Sequence, residues 1–215
     1  MKPKKPLAPF VLYVIGFFAV WTAWVLFGYP RIVKLGDRTL AYALVSIGLR
    51  LILWVIPVFL YLKYIDRVEP FDYLGLKQYW KRGVVVGLAF SILSFLGAAA
   101  RHGHWPHPSM QAFTWNSILS TSILIGFLEE IPFRGFMLQK IEERTGFWMA
   151  NLISGLLFLS IHFPGWISLH LFKGPVAISV FVLGVLFAIL FHYTKSLWSA
   201  IVAHSLTDFI SAVLF

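Results

Sequence analysis

The chain has 215 residues, 59% of them hydrophobic and only 13% charged, against about 45–50% and about 25% in a soluble domain. This composition excludes an ordinary water-soluble enzyme and points to an all-α, polytopic membrane protein. The net charge of +9 does not indicate nucleic-acid binding, because the basic residues sit in short loops beside apolar runs, where they act as topogenic signals. With no cysteine, a thiol nucleophile, a disulfide framework and Cys-ligated metal are all excluded.

Seven apolar runs, about 7–28, 39–62, 83–100, 115–139, 147–165, 175–193 and 197–214, approach the roughly 20 residues that span a bilayer. The first is longer than the roughly 7–15-residue core of a signal peptide and reads as a retained span. Barrel strands are excluded because the runs exceed about 9–11 residues and lack period-2 alternation. One domain covering 1–215 is the economical reading. A cytoplasmic N-terminus follows from Lys2, Lys4, Lys5, Lys63, Arg67, Lys77, Lys81, Arg82, Lys140, Arg144 and Lys195 falling on that side, against Arg31, Lys34, Arg38, Arg101 and Lys173 on the other. Between spans two and three, the aromatic and charged stretch from Asp66 to Arg82 suits either a short interfacial helix or a plain loop. Trp21, Trp24, Tyr29, Tyr61, Trp148 and Trp198 sit mostly near span ends, as interfacial belts do. Arg50 lies deep in span two and needs a carboxylate or a carbonyl within the bundle.

The chemically informative residues come late. Glu129-Glu130-Ile131-Pro132-Phe133-Arg134-Gly135 closes span four. Glu130 and Arg134, four apart, share a helical face and can neutralise each other, while Glu129 points about 100° away. A free carboxylate in an apolar cavity can serve as a general base. The bland alternative is that all three merely form the wet end of a span. Span five ends at Phe158-Leu159-Ser160-Ile161-His162, and span seven carries His204 and Asp208 at four-residue spacing. One such histidine is usually a packing residue, but two of them with an aspartate and a glutamate pair favour a site. At about 1.5 Å per residue, Glu129, His162 and Asp208 lie roughly 16, 22 and 18 Å from their adjacent turns, hence in one slab of membrane. His102, His104 and His107 crowd a loop without a zinc spacing and read as an exposed, non-functional cluster.

In order, the glutamate pair ending in Phe-Arg-Gly, the Phe158-x-x-x-His162 pair and the His204-x-x-x-Asp208 pair resemble the CAAX protease and bacteriocin-processing family, also called Abi. The resemblance covers about residues 115–215. It implies an intramembrane endopeptidase in which Glu129 is the general base and His162 helps hold the attacking water. His204 and Asp208 would stabilise the oxyanion, Glu130 and Arg134 would be structural or orient Glu129, and Phe158 would pack beside the site. Asp208 stands where the CAAX branch has asparagine, which leaves its oxyanion role open. A glutamate mechanism without cofactor is favoured. Zinc stays open, because Glu129, His162 and His204 are legitimate ligands, although no His-Glu-x-x-His helix is present. The resemblance implies a membrane protein, lipid-modified protein or peptide as substrate, and a prokaryotic cytoplasmic membrane as location. A non-catalytic immunity or scaffold protein of the same fold and a proton-coupled carrier are the alternatives.

Overall fold

A computed structural model describes residues 6–108 and 110–215, and among these the chain is helical throughout its regular structure, with no strand. The bilayer core offers no water to the backbone, so each apolar run satisfies its own amides as helix. In chain order the helices are α1 (Ala8–Leu35), α2 (Leu40–Asp66), the short α3 (Pro70–Tyr73), α4 (Trp80–His102), α5 (116–145), α6 (Phe147–Ser168), α7 (Gly174–Thr194) and α8 (Trp198–Leu214). Five of them, α1, α2, α4, α6 and α7, are long and apolar enough to cross a membrane, and α8 is a shorter apolar helix. With the segmented α5 they form an integral membrane bundle of about seven spans. Lys2, Lys4 and Lys5, on which the expected orientation partly rests, lie outside the described residues.

Prolines set the local form of three helices. A proline lacks an N–H and crowds the carbonyl four residues back. Ahead of Pro30 and Pro57 the helix widens into π turns, Trp24–Gly28 and Leu51–Val55, whose closing bonds run five residues back, from Tyr29 N to Trp24 O and from Ile56 N to Leu51 O. The wider turn relieves the crowding and lets α1 continue to Leu35, past the expected end near residue 28. Pro132 likewise sits in a π-helical stretch, Ile131–Leu138, directly after the glutamate pair. Such stretches recur at functional sites.

Small residues determine which helices meet. Lipid is as apolar as leucine, so association depends on close packing rather than on escape from water. Gly83 and Gly87 of α4 lie one turn apart against α8: a Cβ at Gly83 would stand 2.5 Å from Ser196 Oγ, and one at Gly87 would stand 2.9 Å from the Ser199 carbonyl. Gly126 of α5 is tighter still, its Cβ position being 2.4 Å from the Ile201 carbonyl. Beside it, the Ser205 hydroxyl donates to Ile123 O at 2.9 Å. These contacts draw α8 onto α5 and bring His204 beside the glutamates. Gly126→Ala should therefore push α8 outward and destabilise the bundle by about 1–3 kcal/mol, with reduced turnover. An unchanged thermal midpoint in detergent would contradict this packing.

On the other face of α5, Phe17 and Trp54 pack near Phe133, with Phe17 ring centroids 6.0 Å from Trp54 and 5.8 Å from Phe133. Tyr61, expected in an interfacial belt, is instead buried in this core, edge-on to Phe136 at 4.9 Å. The Asp66–Arg82 stretch also differs from a helix lying on the membrane surface. Leu74 and Leu76 turn inward and are buried, because their neighbours are tied to the bundle: Leu197 N donates to Gly75 O at 3.0 Å, Trp198 Nε1 to Leu76 O at 2.9 Å, and Gln139 Nε2 to Tyr73 O at 2.8 Å. Gly75 has φ +69°, which favours glycine. Glu69 caps α3 by accepting from Asp72 N at 2.7 Å. That bond, with Lys77 nearby, holds the Glu69 carboxyl below its usual range. Its small contribution is present at neutral pH and is lost on acidification through that lowered range.

Candidate active site

The glutamate pair sits at the end of the Ile125–Glu130 segment of α5, where the helix hands over to the π-helical stretch. Both carboxylates are buried, Glu130 completely. Glu130 Oε1 accepts from Arg134 Nη1 at 2.9 Å, the i,i+4 pairing that the spacing suggests, and also from His204 Nδ1 at 2.6 Å. Arg134 Nη2 donates to the Gly184 carbonyl at 3.0 Å, and its guanidinium carbon stands 4.1 Å above the Phe158 ring centroid. A glycine at 184 permits this approach, since a Cβ there would lie 3.0 Å from Arg134 Nη2.

His204 is thereby fixed. With Nδ1 on Glu130, its Nε2 stands 3.8 Å from Glu129 Oε2 and 3.5 Å from Asp208 Oδ2. Phe187 of α7 stacks on the imidazole, with centroids 4.9 Å apart and planes 21° apart. Glu129 differs from its neighbour: it is not taken up by the arginine. Asp208, one helical turn beyond His204, is partly exposed.

His162 lies at the break in α6 between the Phe147–Ser160 and Phe163–Ser168 segments. Pro164, without an N–H, accounts for that break. His162 Nδ1 is 3.0 Å from the Phe158 carbonyl. A carbonyl only accepts, so Nδ1 carries a proton, and in the neutral ring Nε2 keeps its lone pair. Phe158 holds the ensemble together, edge-on to His162 at 5.2 Å and to His204 at 5.8 Å.

Glu129, Phe158, His162, His204 and Asp208 all line one cavity of about 250 Å³, with Phe187 and Trp166 also in its wall. Glu130 and Arg134 lie behind its wall. The structure shows the Glu130–Arg134 pair that the spacing suggests and, beyond it, links Glu130 to His204. It also adds two residues that were not foreseen, Phe187 and Gly184. Phe187 gave no signal within an apolar run rich in phenylalanine. Gly184 was detectable as a lone glycine in a span, which marks close packing.

Among the described residues no three His, Asp or Glu groups are gathered as a metal-binding set. The loop histidines form no such set either: His102 and His104 pack by their ring faces near Phe215.

A family model described as type II CAAX prenyl endopeptidase Rce1-like matches residues 110–210, the stretch that holds every residue of this cavity cluster from Glu129 to Asp208. No curated protein and no solved structure matches the chain.

Proposed function

We propose that the chain, whose residues 110–210 match the family model described as type II CAAX prenyl endopeptidase Rce1-like, is an intramembrane endopeptidase using water activated by Glu129 and His162. The observation that carries this reading is the shared cavity of about 250 Å³ lined by Glu129, His162, His204 and Asp208. A water between the Glu129 carboxylate and the His162 Nε2 lone pair gives up a proton to Glu129 as its oxygen adds to the scissile carbonyl carbon. The carbonyl oxygen becomes an anion and meets the His204 Nε2–H of an imidazolium whose Nδ1–H is held by Glu130. Collapse of the tetrahedral intermediate breaks the C–N bond, and Glu129 returns the proton to the leaving amine. One water is consumed, and an acid and an amine are formed. No metal takes part in this scheme.

The substrate we propose is a lipid-modified protein or peptide reaching the cavity from the membrane, prenylated C-terminal sequences foremost. In this proposal the N-terminus lies in the cytoplasm and the cavity in the cytoplasmic half of the bilayer. The test is peptide release by purified protein in lipid, using prenylated, unprenylated and transmembrane peptides of matched sequence. Release from the prenylated peptide supports the reading. If nothing is released, while a partner function persists in Glu129→Gln protein, the non-catalytic alternative is favoured.

Asp208 is assigned to the oxyanion side with His204. Asparagine there would offer an amide donor to the oxyanion and a carbonyl oxygen toward His204. Asp208→Asn should therefore keep turnover within about tenfold, whereas Asp208→Ala should lose about 100-fold, the order seen on removing one oxyanion donor. Equal losses in both variants would mean that Asp208 acts only as an anion orienting His204.

A further inference from the structure

Arg50 is the cation that this chemistry leaves unused. It lies midway along α2, within the membrane bundle, where an unpaired charge is costly. One guanidinium nitrogen reaches Ser120, at 3.0 Å to the hydroxyl and 3.4 Å to the carbonyl. Ser120 is held in turn by Ser46 at 3.2 Å. Among the described residues no carboxylate forms a salt bridge with Arg50, in contrast to Arg134 on Glu130 and Lys140 on Asp66. The serine contacts position the guanidinium without neutralising it, and most of its five N–H donors remain available.

Its surroundings lead to the catalytic cavity. A second compartment of about 310 Å³ is lined by both Arg50 and Glu129, and it shares His162, Trp166 and Asp208 with the catalytic cavity. A third, of about 280 Å³, continues beyond Arg50 between Tyr42 and Asn116. Trp21 lines both of these compartments and is tied to α6 by donating to Ile161 O at 2.9 Å. It therefore belongs to a groove wall rather than to the interfacial belt expected for it. The result is an aromatic groove with Glu129 at one end and, further along, a planar guanidinium that no carboxylate among the described residues pairs with directly, the Glu129 charge acting on it only across the groove.

Resting on the peptidase reading, we propose that Arg50 anchors a carboxylate of the bound substrate, the free chain end in the first instance, and so fixes which peptide bond lies over Glu129. A chain-end carboxylate matches the guanidinium fork and brings its charge without a side chain to fit between tryptophans. An acidic side chain carries the same chemistry, and the test separates the two sources.

Three prenylated peptides are compared: a free acid, its C-terminal amide, and that amide with its last residue replaced by glutamate. Wild-type protein should cleave the acid roughly 10–100-fold more efficiently than the amide, the effect of losing a charged hydrogen-bond partner. Arg50→Gln should bring that ratio close to one, and Arg50→Lys should restore part of it. Recovery with the glutamate-ended amide would assign the anchor to any carboxylate, and no recovery would assign it to the chain end. If wild-type protein treats acid and amide alike, the anchor is refuted, while loss of cleavage in Glu129→Gln would still support the catalytic reading. Binding of hydrolysis-resistant versions, N-methylated at the scissile amide, gives a readout independent of turnover. Tighter binding of the acid than of the amide supports the anchor even without cleavage, and equal binding refutes it. The wild-type comparison stands whether or not Arg50→Gln folds.

Discussion

Glu129→Gln should lower peptide release by about 10²–10⁴-fold, the usual contribution of a general base, while the protein remains folded. Glutamine preserves the shape and hydrogen-bonding reach of the side chain, but its amide cannot accept the proton of the attacking water. Folding should survive because Glu129, unlike Glu130, is not the partner of the buried arginine. It lines the cavity 3.8 Å from His204 Nε2, and His204 and Arg134 both keep Glu130 as their direct partner when Glu129 becomes a neutral amide. Measured kcat/KM and the thermal midpoint in the same detergent check both halves. Near wild-type turnover would remove Glu129 as the base.

Arg134→Ala should show the opposite pattern, with stability lost first. Arg134 is 1% exposed and Glu130 is fully buried, so removing the arginine strands a carboxylate in a low-dielectric interior, at a cost of about 3–5 kcal/mol. The pair has little in reserve, since Glu130 Oε2 and Arg134 Nε already lack hydrogen-bond partners. The Gly184 carbonyl and the Phe158 ring also lose their contacts with the guanidinium. Removing both charges, as in Glu130→Gln with Arg134→Met, should recover part of the stability. Turnover should stay low, because the anion that holds His204 Nδ1 at 2.6 Å is gone. A normal thermal midpoint and expression level for Arg134→Ala would contradict this account.

What could be read from the sequence was what depends on local spacing. Run length and the absence of alternation were enough for a helical bundle, because lipid leaves the backbone few options. The Glu130–Arg134 and His204–Asp208 pairs were legible as i,i+4 neighbours. The partner of His204 was not, since Glu130 lies 74 positions away and only the packing of α8 on α5 joins them. A signal for where α8 packs was nevertheless present: Gly126 marks its contact with α5, and Gly83 and Gly87 of α4 stand against it at the small-xxx-small spacing of close helix contacts. Tyr61 and Trp21 were misjudged for a related reason. Nearness to a span end is visible in sequence, but which way a ring faces depends on neighbours such as Phe136 and the Ile161 carbonyl. Arg50 was legible as a buried charge, and its serine partners were not.

The central claim is that Glu129 directs a water, rather than its own oxygen, at the peptide carbonyl. A single turnover in ¹⁸O-labelled water, with protein in excess over a cleavable membrane peptide, tests this most directly. The account predicts that the new carboxylate carries ¹⁸O in that first turnover, with no covalent adduct on the protein and no such product from Glu129→Gln. A first-turnover product carrying only ¹⁶O, its oxygen drawn from the glutamate, or equal release by wild type and Glu129→Gln, would contradict it.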